Sequence, residues 1–225
     1  MGLSMSLRGR RESFKDSRKG ETIWVLGSGS SLDHIAPGFF NDKVCVCTNC
    51  VGLTLGLPFY YTVSHYHRDA MTVADARPDL PVIAPEADLG AGGPEAANVE
   101  PTQANIYRFP TNPQLFDRFD PALHWPDEPH TLVAGPTSLH MTMHFAQYLG
   151  AAHIVLVGAD CGTLDNASNF TGYSIGDNPF EVWQRTLGGV ADQIRAHGTS
   201  VHSLNPFVNF ALEGHYFRGP TVNIN

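Results

Sequence analysis

A chain of 225 residues, 42% hydrophobic and 16% charged, is long enough to bury one α/β core and has the composition of an ordinary soluble globular protein. No apolar run approaches the roughly 18 residues of a membrane span, and the first twenty residues lack the apolar stretch of a secretory signal. The net charge of −8 is uneven: six basic residues in the first twenty stand against Glu12 and Asp16, leaving about −12 for residues 21–225, which argues against non-specific nucleic-acid binding by the body.

Residues 1–20 read as a basic flexible tail, with phosphates or acidic lipid as alternative partners. Residues 21–225 read as a single nucleotide-binding α/β domain. "TIWVLG" (22–27) is a short apolar strand ending in glycine, and "KVCVCTN" (43–49) is a second, with Val44 and Val46 alternating with Cys45 and Cys47. "PFYYTVS" (58–64) is a third, rich in aromatic and β-branched residues. Residues 69–130 are dense in Pro, Asp, Ala and Gly and read as an irregular insertion, with strand-like pieces at 81–85 and 105–110. "TLVAG" (131–135) is a candidate strand. A helix follows between Pro136 and Gly150, then a buried strand at 152–160. The stretch 161–177 reads as a lid-like loop, 178–198 as a longer helix and 199–206 as a last strand. Strands alternating with helices predict an α/β fold with a mainly parallel, Rossmann-like sheet.

In such sheets ligands bind beyond the carboxyl ends of the strands. Three ends here are polar or glycine-rich: Gly27-Ser28-Gly29-Ser30-Ser31, Thr48-Asn49, and Gly158-Ala159-Asp160. The first lets backbone approach a phosphate and supplies N–H and hydroxyl donors, or else is a tight turn without ligand. It is neither a Walker loop nor a complete Gly-x-Gly-x-x-Gly, since Leu32 holds the third glycine's place. Asn49 offers donor and acceptor to a base or ribose edge, or serves as a turn residue. His65 and His67 share a face if the chain is extended, a spacing that suits acid–base chemistry or metal binding, but no third ligand accompanies them and no metal is assigned. His140 and His144 lie one helical turn apart without the Glu of a zincin motif and read as surface or core residues. Asp160 can orient an acceptor, hold Mg²⁺, or simply cap a turn.

"VCVCTNC" crowds Cys45, Cys47 and Cys50 together. Alternation sends Cys45 and Cys47 to one face of a strand, where free cysteine packs as a small hydrophobe. Cys50 lacks a ligand set, with Cys161 the nearest conceivable partner. Four cysteines so placed form no disulfide framework and point to a reducing cytoplasm.

Taken in order, these motifs resemble those of a superfamily that includes bacterial CMP-sialic-acid transferases, motility-associated-factor flagellin glycosyltransferases and archaeal-type 6-hydroxymethylpterin diphosphokinases. The likeness covers about residues 22–64 and 131–212. It implies a nucleotide site formed by Gly27, Ser28, Gly29, Ser30, Ser31, Asn49, Thr137, Ser138 and Gly158. Tyr173 stands where the sialyltransferases carry their base histidine, and a tyrosine of ordinary pKa near 10 is a poor base at pH 7. His65, His67 and Asp160 are then the remaining candidates for the catalytic base.

The resemblance implies a metal-independent, inverting glycosyltransferase that uses a nucleotide-activated sugar, CMP-linked by analogy, and an unidentified acceptor. One alternative is a diphosphokinase acting on a pterin-like hydroxymethyl compound with ATP and Mg²⁺, in which Asp160 would hold the metal. The other is a nucleotide-binding protein without catalysis. A cytoplasmic protein is expected, and self-association is compatible with the sequence.

Overall fold

Short apolar runs, buried on both faces, build one parallel sheet in the computed structural model, which describes residues 11–36, 38–86, 104–112, 119–164, 166–174, 180–205 and 221–222. In chain order the strands are β1 (Thr22–Leu26), β2 (Val44–Thr48), β3 (Tyr61–Val63), β4 (Val82–Pro85), β5 (Ile106–Phe109), β6 (His153–Val157), β7 (Thr163–Leu164), β8 (Ser200–Ser203) and β9 (Thr221–Val222). The helices are α1 (Val51–Thr54), α2 (His67–Ala76), α3 (Ser138–Tyr148) and α4 (Phe180–Ala196), with a 3-10 turn at Ser30–His34. Seven strands align in the order β5-β4-β3-β2-β1-β6-β8, all parallel, while β7 pairs with β9 apart from them. From β1 the chain moves outward to β5 on one side, then returns to place β6 and β8 on the other. The strand order therefore reverses between β1 and β6, and the loops that follow these two strands meet there.

Side-chain alternation divides the core. Ile23 and Val25 of β1, Val46 of β2 and Ile154 and Leu156 of β6 face Met141, Phe145 and the α4 residues Leu187, Val190 and Ile194. Leu26, Cys45, Cys47 and Val157 face the other way, toward Leu32, Val51, Val73 and Ala74. The two strand cysteines are thus packing residues. Burial pushes the Cys45 thiol up to about 12 and holds Cys47 higher than its ordinary value, so neither offers a thiolate at neutral pH.

Helix α3 lies over β1, β2, β3 and β6, and Ser138 to Ala146 are all buried. Its polar side chains must find partners inside the protein. Thr142 bonds the Ser138 carbonyl at 2.7 Å, and His144 Nδ1 accepts the Val133 N–H at 2.9 Å. His140 and His144 are therefore core residues. Gly150, with φ 90, ends the helix in the left-handed conformation that glycine adopts readily. Among the described residues no helix is long and apolar enough to cross a membrane.

Three expectations about segments are corrected. Residues 11–20 are docked rather than loose: Phe14 inserts edge-on against Tyr107 and Phe145 (centroids 4.7 and 5.7 Å). The backbone N–H groups of Asp16, Arg18 and Gly20 bond the carbonyls of Tyr148, Leu149 and Gly150. Charge counting registers the basic residues of this arm and misses its one apolar anchor. Residues 1–10 lie outside the described residues. The supposed insertion 69–130 carries α2, β4 and β5, which extend the main sheet; 87–103 and 113–118 lie outside the described residues. Residues 131–135 form no strand beyond a single bridge from Leu132 to Thr111. Side chains take the next N–H groups instead, His144 that of Val133 and Asn112 that of Ala134 at 2.5 Å.

Candidate functional site

The loop after β1 folds against the loop after β6. Gly27 N–H donates to the Val157 carbonyl (2.8 Å) and Gly29 N–H to that of Gly158 (2.6 Å). A Cβ at Gly27 would run into the Gly158 carbonyl, and one at Gly29 into the Asp160 carboxylate. These glycines permit two loops to touch. Asp160 then accepts three hydrogen bonds: Ser31 N–H at 2.8 Å, Ser31 Oγ at 2.5 Å and Asn205 Nδ2 at 3.1 Å. Ser30 Oγ donates to the Ala167 carbonyl (2.8 Å), and the Ser28 carbonyl accepts Phe170 N–H (3.1 Å). The Gly27, Gly29 and Ser31 N–H groups and the Ser30 and Ser31 hydroxyls, which the sequence offers to a phosphate, are engaged within the protein, and a carboxylate already lies against Ser31.

Beside this closed corner, the ends of β2 and β3 meet the entrance of α3. Asn49 has φ 46, a left-handed conformation that asparagine tolerates better than most residues, and its N–H bonds the Val63 carbonyl at 2.9 Å. Its side-chain oxygen accepts from Ser64 Oγ (2.9 Å) and Ser138 Oγ (3.0 Å). With both hydroxyls on the oxygen, the amide NH₂ points elsewhere, and the Tyr173 hydroxyl faces Asn49. Burial raises the Tyr173 phenol above its ordinary value, and its ring stacks on Phe170 at 5.3 Å. The 166–174 stretch thus ties the two corners together. It is fastened rather than hanging free, because Thr171 N–H and Oγ1 also bond Asp33. Of the expected lid 161–177, residues 165 and 175–177 lie outside the described residues.

Thr137 caps α3 by accepting Leu139 N–H on its hydroxyl (3.0 Å). His140 completes a capping box from the helix side, its Nδ1 accepting Thr137 N–H at 3.3 Å. That leaves the proton on Nε2, which donates to Thr186 Oγ1 of α4 (3.0 Å), and Thr186 in turn donates to the Val182 carbonyl (2.9 Å). Burial pushes the His140 imidazole down to about 3.

The two histidines after β3 diverge, contrary to the expectation of a shared face. Tyr66 is extended but caps α2, whose first residue is His67, so His65 ends the β3 side and His67 begins a helix. His65 is buried, its N–H donating to Ser138 Oγ (3.4 Å), and burial pushes its imidazole down to about 4. Half-buried His67 has Nδ1 3.2 Å from Arg108 Nη2. A guanidinium has no acceptor, so Nδ1 accepts and neutral His67 carries its proton on Nε2.

The structure thus brings Asn49, Ser138, His65 and Tyr173 together, and joins Gly27 to Ser31 with Gly158 and Asp160. It leaves His67 with Arg108 and uses the Thr137 hydroxyl in a cap. Reading by residue type passed over Ser64, which sits beside the histidines of "SHYHRD", and Asn205, whose turn-like "LNP" setting gives no hint of a long-range bond. Among the described residues, no three His, Cys, Asp or Glu side chains come together as metal ligands. Compared with protein-family models, curated proteins and solved structures, the chain matches none of them significantly.

Proposed function

We propose that the protein is a glycosyltransferase that takes a sugar from a nucleotide-activated donor, CMP-linked by analogy, and passes it with inversion and without metal to an acceptor hydroxyl. The observation that carries this reading is the hydrogen-bonded set Asn49–Ser64–Ser138 at the carboxyl edge of a parallel sheet, beside the point where strand order reverses. Its hydroxyls and amide suit the nucleoside of the donor. Under this reading Tyr173 and Phe170 flank the donor.

A second reading, nucleotide binding without transfer, is favoured by the state of the proposed bases. Asp160 is held by Ser31 and Asn205, His65 is buried and neutral, the Tyr173 phenol is raised, and Arg108 is bonded to His67 Nδ1. The same engagement of Asp160 counts against the diphosphokinase, which needs that carboxylate for Mg²⁺.

Thermal unfolding with CMP, UDP, dTDP and ATP, with and without Mg²⁺, followed by assays of donor consumption, separates these. A rise in Tm with a metal-free nucleotide, together with consumption of the matching nucleotide sugar, is the expected result. Stabilisation without turnover, with or without acceptors, selects the binding reading. Stabilisation by ATP–Mg²⁺ alone would sink the transferase.

A further inference from the structure

His65 differs from the other buried imidazoles of this region. All three lie inside the protein and all three are pushed down by burial. His140 bonds Thr137 and Thr186, and His144 bonds Val133. His65 is 3% exposed, and its Nε2 reaches no hydrogen-bond partner among the described residues. Its own N–H is fixed to Ser138, the hydroxyl that also holds Asn49. Its predecessor Ser64 is the other hydroxyl on Asn49. His65 therefore belongs to the Asn49 set by covalent continuity and by hydrogen bond, while its ring nitrogen contributes nothing to it.

A buried polar atom without a partner carries its full desolvation penalty, and an apolar side chain of similar size would avoid it. An imidazole kept there is explained by a partner that arrives with a ligand. The side chains around it restrict what that partner can be. Asn49, Ser64 and Ser138 are uncharged, and the carboxylate whose charge reaches this corner, Asp69, helps to raise the Tyr173 phenol and would repel a phosphate. Nothing in the Asn49 set compensates a phosphate placed on His65 itself.

We propose that His65 Nε2 is a ligand-reading atom that hydrogen-bonds an uncharged group of the nucleoside, a ribose hydroxyl or a base edge, and is not the base of the reaction. This rests on the nucleotide reading of the same site. It makes His65 a specificity residue beside Asn49 and places the phosphates away from it.

The test uses the full chain and the variants His65→Leu and His65→Gln, titrated calorimetrically with the four common ribonucleosides and their 5′-monophosphates. Leu removes the polar atom at similar volume; Gln keeps a donor and acceptor. For whichever nucleoside the wild type prefers, His65→Leu is expected to weaken binding about tenfold, by the same factor for the nucleoside and for its monophosphate, while His65→Gln stays within about threefold. A loss confined to the monophosphate, or affinity unchanged in His65→Leu, overturns the proposal. If the wild type binds none of the eight, the CMP-linked form of the transferase reading is what fails, and the ligand-free proteins then decide the role of His65. A Tm for His65→Leu at or up to about 4 °C above wild type keeps His65 as a residue held for a ligand outside that set. A lower Tm makes it structural and overturns the proposal.

Discussion

The two corners of the sheet edge use similar residues to opposite ends. Around Gly27–Ser31 and Asp160, polar groups close on one another: a carboxylate accepts three hydrogen bonds and the glycines clear space for contact between loops. Around Asn49, Ser64, His65 and Ser138, hydroxyls share a single amide oxygen, and one buried ring nitrogen has no hydrogen-bond partner among the described residues. A glycine- and serine-rich loop is thus no sign of an open phosphate cradle, because the same flexibility and the same donors serve an internal carboxylate equally well. Capacity for a ligand lies where hydrogen bonding is incomplete.

The largest expected effect falls on the histidine corner when pH drops. His65, His140 and His144 are held well below the ordinary histidine value, at about 4, 3 and 3. In the unfolded chain they bind protons from about pH 6.5 downward, and in the folded chain they do not. Stability is therefore unaffected by them above about pH 7 and is lost progressively from about pH 6.5 toward pH 4. Three such groups together remove up to about 4 kcal/mol per pH unit in the middle of that window. Urea unfolding at pH 7, 6 and 5 should show steep loss, with acid unfolding near pH 4–5. A stability that stays flat from pH 7 to 5 would mean that these imidazoles are not buried and neutral.

Next in size is the carboxylate corner. Asp160→Ala leaves the Ser31 donors and the Asn205 amide without their acceptor, and charge-assisted bonds of this kind are worth about 1.5–3 kcal/mol. A loss of about 2–3 kcal/mol in urea unfolding is expected, with partial solvent access reducing the cost. A change within about 0.5 kcal/mol would show that the two loops hold together without the carboxylate.

Much of this architecture was legible in the sequence, and the failures have physical causes. Short continuous apolar runs mark β1, β2, β3 and β6, because strands buried on both faces need continuous hydrophobic residues. The same logic identified Cys45 and Cys47 as packing residues. β4 and β5 were underrated, since four residues between prolines and acids give too short a pattern, and their role in the sheet comes from pairing with β3 and with each other. Asn49 was legible as a strand-end residue, but its two serine partners come from β3's exit and from α3, 15 and 89 positions away. The engagement of Asp160 by Ser31 spans 129 positions. Such contacts are set by sheet order, which the local pattern of the chain does not encode.

The smallest expected effect on stability concerns Asn49, and it separates backbone from side chain. Asn49→Gly keeps the left-handed conformation and removes only the amide, so the cost is that of two hydroxyls losing a shared acceptor, about 1–2 kcal/mol. Asn49→Ala removes the same amide and adds the strain of a Cβ at φ 46, about 1 kcal/mol more. Both variants should weaken nucleotide binding equally, because ligand affinity depends on the amide and not on the strain. Equal stability of the two variants would place Asn49 outside the left-handed region. Unequal affinity would mean that the loop's conformation, rather than the amide, carries recognition, and would transfer the binding role from the Asn49 corner to the backbone that supports it.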